Sequence, residues 1–422
     1  MWRLGKRAAR ARIPTLVVAL CVTPHTLQAQ EVCETRWILT ETLRIGSVDG
    51  DVTLSPIGDL AVGPDGRIYL IQAWAHEVSV FQPDGRLGGV IGRAGGGPGE
   101  FGAWPTRLGW RGDTLWVSDR FTTHFFSADG RSIRDVSFRT PVPSEGSNLV
   151  PGTPLPDGTF LPTRLVNQHS GRFLLADRAP LRRLSAIGEV VDTVITVARP
   201  LASFTLVRET DRNGWGVMKS HPIGNWSGES WLPVTATPDG SAIVMIGEVR
   251  QDRTNASFDL LKIRFNGDTL LHQSVPYEAR PITRREELLM RERFAASVAG
   301  AFRPESMSQP MSRQESERRR RIGRELITFP EYHPVVRRIV AGGDGSIWLL
   351  REAWPSPEDV WEIYGEHGKL EGLVRIEDPP HHENWNPRLR IFEASRSEVW
   401  GMTVGEFDVP YVHRYRVNRN CN

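Results

Sequence analysis

The sequence has few of the features that identify most enzyme and membrane-protein classes. Its 422 residues include three cysteines and four lysines, and the apolar stretch 16–22 is too short to span a bilayer. The sequence contains no G-x-S-x-G, no H-E-x-x-H and no cysteine pair with zinc-binding spacing. These absences exclude a transmembrane anchor in that stretch and the most recognisable hydrolase and zinc-site motifs.

The N-terminus has the pattern of an export signal. Five basic residues precede the apolar stretch 16–22, and a cleavage site follows at Ala29, so residues 1–29 are predicted to be a signal peptide. Lipidation at Cys21 is the alternative, although Leu20 fits the processing signal poorly. We therefore expect an exported protein, periplasmic or secreted.

The charge balance argues against a nucleic-acid partner. The first thirty residues carry five basic and no acidic side chains, so the remainder has 47 basic and 50 acidic side chains, a net charge of −3. A nucleic-acid-binding protein needs a basic surface. The apparent basicity of the whole chain therefore belongs to the signal, and the partner is expected to be an unknown small ligand or an envelope protein.

One pattern recurs along the chain. Residues 59–81, DLAVGPDGRIYLIQAWAHEVSVF, contain a strand, a Pro-Asp-Gly turn, a second strand, a polar loop and a third strand, and a second Pro-Asp-Gly turn leads to a fourth strand at 87–91. A repeat of this kind, with four short strands per unit, predicts a β-propeller. The predicted blades comprise residues 57–92, 105–139, 148–198, 231–276, 335–377 and 388–417.

The last repeat supplies three strands, and the strand-like segment 35–47 precedes the first repeat without a partner of its own. We therefore predict an all-β fold over residues 30–422: a six-bladed β-propeller closed by an N-terminal strand in the last blade, a device that protects strand edges. Closure would bring Cys33 and Cys421 together, which predicts a disulfide in an oxidising compartment. Two unpaired thiols are the alternative. We expect a monomer.

The glycine-rich stretch 88–101, GGVIGRAGGGPGEF, runs into a G-x-G-x-x-G match at residues 97–102. Ala-Trp-Pro follows instead of a helix, and no Lys-Ser/Thr completes a phosphate loop, so a connector between blades is favoured over a nucleotide site. The stretch resembles the NHL repeat and the six-bladed, TolB-like secreted propellers, in which a glycine-rich run ending in G-x-F and a proline links successive blades. Gly95, Gly99, Phe101 and Pro105 occupy those places.

Two segments interrupt the repeat. Residues 199–231 are predicted to form a hairpin and loop. Residues 281–331 are predicted to be a helical insertion, because Thr283 and Glu286 form a capping pattern. Leu288, Leu289, Phe294 and Val298 are predicted to give the first helix an apolar stripe. Ile322, Leu326 and Ile327 are expected to face inward on the second, whose arginine run 318–321 is expected to be solvated; binding of an anionic partner by this run is the alternative.

The loops after each second strand are predicted to gather around one mouth of the central channel, where they form a polar ring. Convergent polar groups over a cavity are the usual sign of a binding site. The candidate ligand-binding residues are Gln72, Trp74, His76, Asp119, Arg120, His124, Arg164, Asn167, His169, Glu248, Arg250, Arg351, Glu352, Trp354, Glu406 and Asp408.

These features favour a non-catalytic ligand- or protein-binding module, acting through the channel mouth beneath the helical insertion. The alternative is a metal-dependent hydrolase or lyase with its site in the channel, because some six-bladed relatives are such enzymes; Asp119 and Glu352 would then hold a divalent metal. The cluster His381-His382-Glu383 could also bind a metal, although a surface loop is favoured there. A TolB-like envelope assembly component is the third class. No cofactor and no catalytic residue is identified by the sequence.

Overall fold

The structure is a computed structural model. It describes residues 36–47, 52–72, 75–119, 122–137, 151–162, 168–169, 172–173, 178–198, 208–210, 216–218, 234–251, 255–301, 312–326, 331–352, 358–377, 388–405 and 409–419.

The described strands form six four-stranded antiparallel sheets, one per blade. The strand β1 (Trp37–Ile45) precedes them in the chain. The first blade consists of β2 (Ile57–Val62), β3 (Ile68–Gln72), β4 (Val78–Phe81) and β5 (Leu87–Ile91). The second consists of β6 (Arg107–Arg111), β7 (Thr114–Ser118), β8 (Thr122–Ser127) and β9 (Ser132–Ser137).

The third blade has β10 (Pro151–Pro154), β11 (Phe160–Pro162), β14 (Arg178–Leu184) and β15 (Val190–Ala198), with the hairpin β12 (Gln168–His169) and β13 (Arg172–Phe173) between its second and third strands. A hairpin of β16 (Arg208–Thr210) and β17 (Gly216–Met218) follows, as the sequence predicted for this segment. The fourth blade is β18 (Val234–Ala236), β19 (Ala242–Arg250), β20 (Ser257–Arg264) and β21 (Thr269–Pro276).

The fifth blade is β22 (Arg338–Ala341), β23 (Ile347–Glu352), β24 (Glu358–Tyr364) and β25 (Leu370–Glu377). The sixth has β26 (Arg390–Ala394), β27 (Glu398–Val404) and β28 (Pro410–Arg419), and its outermost strand is β1. The prediction of six blades closed by an N-terminal strand is confirmed.

Closure of the ring is a complete strand pairing. The strand β1 pairs antiparallel with β28 from Trp37 opposite Arg419 to Ile45 opposite Val412, with one bulge. Across this blade, His413 Nδ1 lies 2.7 Å from a carboxylate oxygen of Glu41, and His413 Nε2 lies 2.7 Å from the hydroxyl of Thr403. This hydrogen-bonded row ties the closing strand to β28 and, through His413, to β27.

Apolar side chains fill the space between neighbouring blades. Six buried clusters occur in the described residues, and each joins side chains from two adjacent sheets. The cluster between the sixth and first blades packs Trp400 and Val412 against Leu60 and Leu70. Buried apolar side chains therefore form an unbroken series of clusters around the ring. The sixth blade, which closes the ring, contributes to this series like every other blade.

The two ends of the ring differ. Each innermost strand begins where the second strand of its blade ends, as in the pairing of Ile57 with Gln72 and of Arg107 with Ser118. The loops after the second strands and the connections between blades share this end, which we call the linker face. The innermost strands line the central channel, so the first residues of these strands lie at its mouth on the linker face.

The glycine-rich connector packs around one aromatic side chain. Phe101 is fully buried between the first two blades, and its backbone N–H donates to the carbonyl of Arg93 at 2.8 Å. Gly99 has φ +73°, which glycine adopts most readily. The chain passes from β5 to β6 without a helix, so the stretch is a connector between blades, as predicted.

The helical insertion leaves the ring after β21 and returns at β22, on the linker face. It contains α1 (Arg284–Ala301) and α2 (Arg313–Leu326). The predicted capping pattern is confirmed: the backbone N–H of Thr283 donates to Glu286 Oε2 at 2.8 Å, and the N–H of Glu286 donates to Thr283 Oγ1 at 3.2 Å. In the described part of the chain, no helix has both the length and the apolar character needed to cross a bilayer.

The predicted faces of these helices need correction. Leu288 and Leu289, expected in an inward apolar stripe, are 47 % and 42 % exposed. Arg319, expected to be solvated, is 5 % exposed, whereas Arg320 and Arg321 are exposed. Both predictions relied on the residue types alone. Which side of each helix is buried depends instead on how the two helices pack against each other, and the sequence pattern does not specify that packing. The inward residues predicted at Phe294, Val298, Ile322, Leu326 and Ile327 have side chains outside the described structure.

Candidate functional site

The predicted residues of the first blade hold the chain together at the linker face. Gln72 ends β3, accepts a hydrogen bond from the backbone N–H of Ser55 at 2.8 Å and donates to the hydroxyl of Ser79 at 2.9 Å. His76 Nδ1 lies 3.0 Å from the carbonyl oxygen of Phe101, in the connector to the next blade. Both side chains therefore join separate segments of the chain.

Asp119 and His124 belong to a buried network that holds the same connector. Asp119 accepts hydrogen bonds from the N–H of Thr122 at 2.7 Å and of Ala103 at 3.3 Å. His124 lies between two carboxylates, with Nε2 at 3.6 Å from Asp119 and Nδ1 at 2.9 Å from Asp135. Burial lowers the pKa of His124, but the two carboxylates outweigh that effect and raise it above its ordinary value.

The predicted residues of the fourth and fifth blades are also tied to neighbours. Glu248 and Arg250 end β19 and form an exposed ion pair at 2.9 Å. Arg351 donates to Glu362 at 2.6 Å and to the carbonyl of Val335 at 2.6 Å. Its guanidinium lies over a phenylalanine ring of the fourth blade, so it links two blades.

The other predicted site residues cannot be placed in the same way. Of His169 and Glu352 the structure describes the backbone alone. Within the described residues, no group of three or more His, Cys, Asp or Glu side chains could hold a metal ion. The divalent-metal site therefore stays a prediction, as does the disulfide. The predicted residues that lie outside the described structure are Cys33, Trp74, Arg120, Arg164, Asn167, Trp354, His381, His382, Glu383, Glu406, Asp408 and Cys421.

A set of charged residues that the sequence did not single out lies at the channel mouth. Asp59 lies near the start of β2, and three arginines are the first residues of innermost strands: Arg107 of β6, Arg338 of β22 and Arg390 of β26. They pair with the last residues of the second strands or those just before them, so all four lie in nearly the same layer of the ring. We call these four residues the mouth cluster.

Hydrogen bonds to backbone fix two members of the mouth cluster. Arg390 donates to the carbonyl of Ile57 at 3.1 Å and to that of Gly58 at 3.0 Å, and so spans the seam between the sixth and first blades. Asp59 accepts from the N–H of Leu108 at 3.2 Å. Below them, Glu393 of β26 accepts from the N–H of Val62 at 3.1 Å.

Arg107 is more loosely held than the other two arginines of the mouth cluster. It is half-buried at the channel mouth, and no described residue accepts a hydrogen bond from its side chain or forms an ion pair with it. Its charge nevertheless reaches Asp59, whose pKa it lowers in opposition to burial. A guanidinium has five donors in a planar fork that fits a carboxylate or a phosphate. As far as the described residues show, the donors of Arg107 could therefore serve an anion that enters the mouth.

Burial and mutual repulsion make the mouth cluster electrostatically strained. The pKa of both Arg338 and Arg390 is lowered to about 10, mainly by burial; the charge of Asp59 opposes this shift and the charge of Arg107 contributes to it. Both guanidiniums remain protonated at pH 7. Burial raises the pKa of Asp59, and it raises that of Glu393 to about 7, with the Asp59 charge adding to the effect. Three guanidiniums thus lie near two carboxyl groups, Asp59 and Glu393, whose pKa values are raised by burial.

A sequence signal for this site exists. An arginine directly precedes or begins the apolar run of three innermost strands, in RLGW at 107–110, RIVA at 338–341 and RIF at 390–392. A charged residue at a strand end is ordinarily solvated, so the pattern alone has little weight. It gains meaning once closure of the ring places those strand ends around one channel.

The solved structures that resemble the chain share little sequence with it. No protein-family model matches the chain, and no curated protein matches its sequence. A Bacteroides fragilis protein proposed to be exported is 9 % identical with a TM-score of 0.47, over 91 % of this chain and 96 % of that chain. A member of the DUF4221 family from Bacteroides vulgatus is 10 % identical with a TM-score of 0.41, over 92 % and 100 %.

A catalytically inactive virginiamycin B lyase from Staphylococcus aureus is 11 % identical with a TM-score of 0.39, over 90 % of this chain and 99 % of that chain. Similarity at this level carries no argument about the activity of this chain. The resemblance to NHL and TolB-like propellers stays a prediction. The sheet topology itself identifies the chain as a six-bladed β-propeller.

Proposed function

We propose that the protein is an exported, non-catalytic binding module that takes a small anionic ligand into the channel mouth on its linker face. One observation carries the proposal: Arg107 begins an innermost strand beside Arg338 and Arg390, and within the described residues its side chain acts on Asp59 by charge but forms no hydrogen bond or ion pair. A bound carboxylate or phosphate would offset the repulsion among the three cations.

The linker face suits this role for two further reasons. The connector and the second-strand loops around the mouth are fixed by the buried contacts of Gln72, Asp119 and His124, so the site is largely pre-formed. The helical insertion leaves from and returns to the same face, where it could limit access to the mouth. The predicted signal peptide 1–29 supports export.

The test compares two arginines of the linker face. Isothermal titration calorimetry with inorganic phosphate and with propionate, at pH 6.5 and low ionic strength, should detect binding to the mature protein. Arg107→Met should weaken it at least tenfold, because a hydrogen bond to a charged group contributes about 1.5–3 kcal/mol. Arg250→Met is the matched control, since that exposed arginine belongs to the polar ring predicted from the loops after the second strands, which we call the loop ring.

The outcome separates the two possible sites. Loss of binding in Arg107→Met with normal binding in Arg250→Met supports the mouth cluster. Normal binding in Arg107→Met with loss of binding in Arg250→Met would instead place the anion site in the loop ring. If neither anion binds, and binding remains undetected when the ionic strength is lowered further, the proposed function is wrong.

A further inference from the structure

One aromatic side chain on the linker face is exposed. Trp104 is 45 % exposed and precedes Arg107 by three residues. Tryptophan buries a large apolar area when it packs in a core, and most described tryptophans of this protein do so. Those at most 5 % exposed are Trp37, Trp116, Trp348, Trp361 and Trp400.

The backbone on both sides of Trp104 is fixed. The N–H of Ala103 donates to Asp119 at 3.3 Å, and the N–H of Thr106 donates to the carbonyl of Ser118 at 2.8 Å. Pro105 is buried and restricts the backbone of the residue before it. The indole therefore stands on a rigid segment, which reduces the entropy lost when a ligand packs against it.

Trp104 also lies close to the mouth cluster. The connector runs from the outer edge of the first blade to the innermost strand of the second, and Trp104 is near its inner end. Three residues of extended chain span at most about 11 Å, so the Cα atoms of Trp104 and Arg107 lie within that distance of each other. The ring of His76 is 6.3 Å from the indole, on the side of the first blade.

We propose that the ligand carries a planar apolar ring beside its anionic group, and that Trp104 stacks on this ring while the mouth cluster binds the anion. This inference rests on the proposed function, because it uses the same site and adds the second half of its ligand. A ring and a carboxylate separated by a short chain are compatible with a Cα separation of at most about 11 Å between Trp104 and Arg107. Aromatic acids are the class of ligand with this chemistry.

Three probes separate the ring from the charge: 3-phenylpropionate, propionate, and the neutral 3-phenylpropan-1-ol. We expect the wild-type protein to bind 3-phenylpropionate at least tenfold more tightly than propionate, and the alcohol more weakly than either acid. Trp104→Ala should abolish the advantage of 3-phenylpropionate and leave the affinity for propionate unchanged. Trp104→Phe keeps a ring and should retain most of the advantage.

The results distinguish this inference from the function on which it rests. Equal affinities of wild type for 3-phenylpropionate and propionate, or an unchanged advantage in Trp104→Ala, would overturn the ring-binding role. If propionate binding were still lost in Arg107→Met, the anion site would stand without it. If neither acid bound the wild-type protein, the proposed function would fail first and the inference with it.

Discussion

Glu393 allows a sharp test of the electrostatics of the channel. Burial raises its pKa to about 7 from an ordinary value of 4.5, and the carboxylates of Asp59 and Glu398 add to the rise. Glu393→Gln removes the ionisation and keeps the oxygen that accepts the N–H of Val62 at 3.1 Å. The substitution should therefore change stability through charge alone.

The sign and size follow from proton linkage. Below pH 4.5 the carboxyl is protonated in both the folded and the unfolded chain, so the substitution should have little effect. As the pH rises toward 7, the unfolded chain releases the proton while the folded protein keeps it, and the wild type loses stability. At about 1.4 kcal/mol per unit of pKa, the loss reaches at most about 3 kcal/mol above pH 8. For a chain of this size that corresponds to about 2–4 °C in Tm.

The assay is thermal unfolding of both proteins from pH 4 to pH 8. Glu393→Gln should match the wild type at pH 4 and exceed it above pH 7, whereas the exposed control Glu248→Gln should show no such rise. Asp59→Asn should move the midpoint of the wild-type profile toward lower pH, because it removes a neighbouring charge. A difference that stays constant across this range would refute the reasoning.

Three further predictions concern the connector and the closure. In urea denaturation, Gly99→Ala should lower the free energy of unfolding by about 1–3 kcal/mol, because φ is +73° and a Cβ would lie 2.9 Å from a serine Cβ of β9. The control Gly96→Ala, where a Cβ would meet open space, should be near neutral. Equal effects of the two substitutions would contradict this prediction. Thr403→Val should cost about 1 kcal/mol by removing the hydroxyl beside His413, and no loss would show that this bond is not stabilising. Thiol labelling of the unfolded, unreduced mature protein should find Cys33 and Cys421 protected if they form the predicted disulfide; two reactive thiols would exclude it.

The architecture was predictable because its signals are local. Turns with a glycine at positive φ close many of the hairpins, as at Gly66 with φ +79°, and alternating apolar residues fix the faces that pack between blades. The capping pair Thr283 and Glu286 likewise acts within one helical turn. Such signals can be recognised without knowledge of the rest of the chain. Closure by the N-terminal strand then followed from the number of strands, because the last repeat had three and one strand before the first repeat had no partner.

Side-chain roles at the linker face were less predictable, because they depend on neighbours distant in sequence. Asp119 and His124 are polar residues near a loop, as a ligand-binding residue would be, yet they hold the connector in a buried network. Leu288 and Leu289 have helical spacing, yet the packing of the insertion leaves them exposed. The sequence pattern identifies the residue type, and the tertiary arrangement decides whether it faces a neighbour, the channel or solvent.

The mouth cluster depends on the closure more directly than the loop ring does. Arg390 of the last blade donates to the carbonyls of Ile57 and Gly58 of the first blade, so its position is defined only across the closing seam. Asp59 in turn accepts a hydrogen bond from the backbone N–H of Leu108 in the second blade. Leu108 follows Arg107 directly, so this bond also fixes the backbone beside Arg107. The strand β1 touches none of these atoms in the described hydrogen bonds, yet by completing the sixth blade it holds that seam together. Loss of the closing strand should therefore disperse the positive charge at the mouth as well as expose an edge.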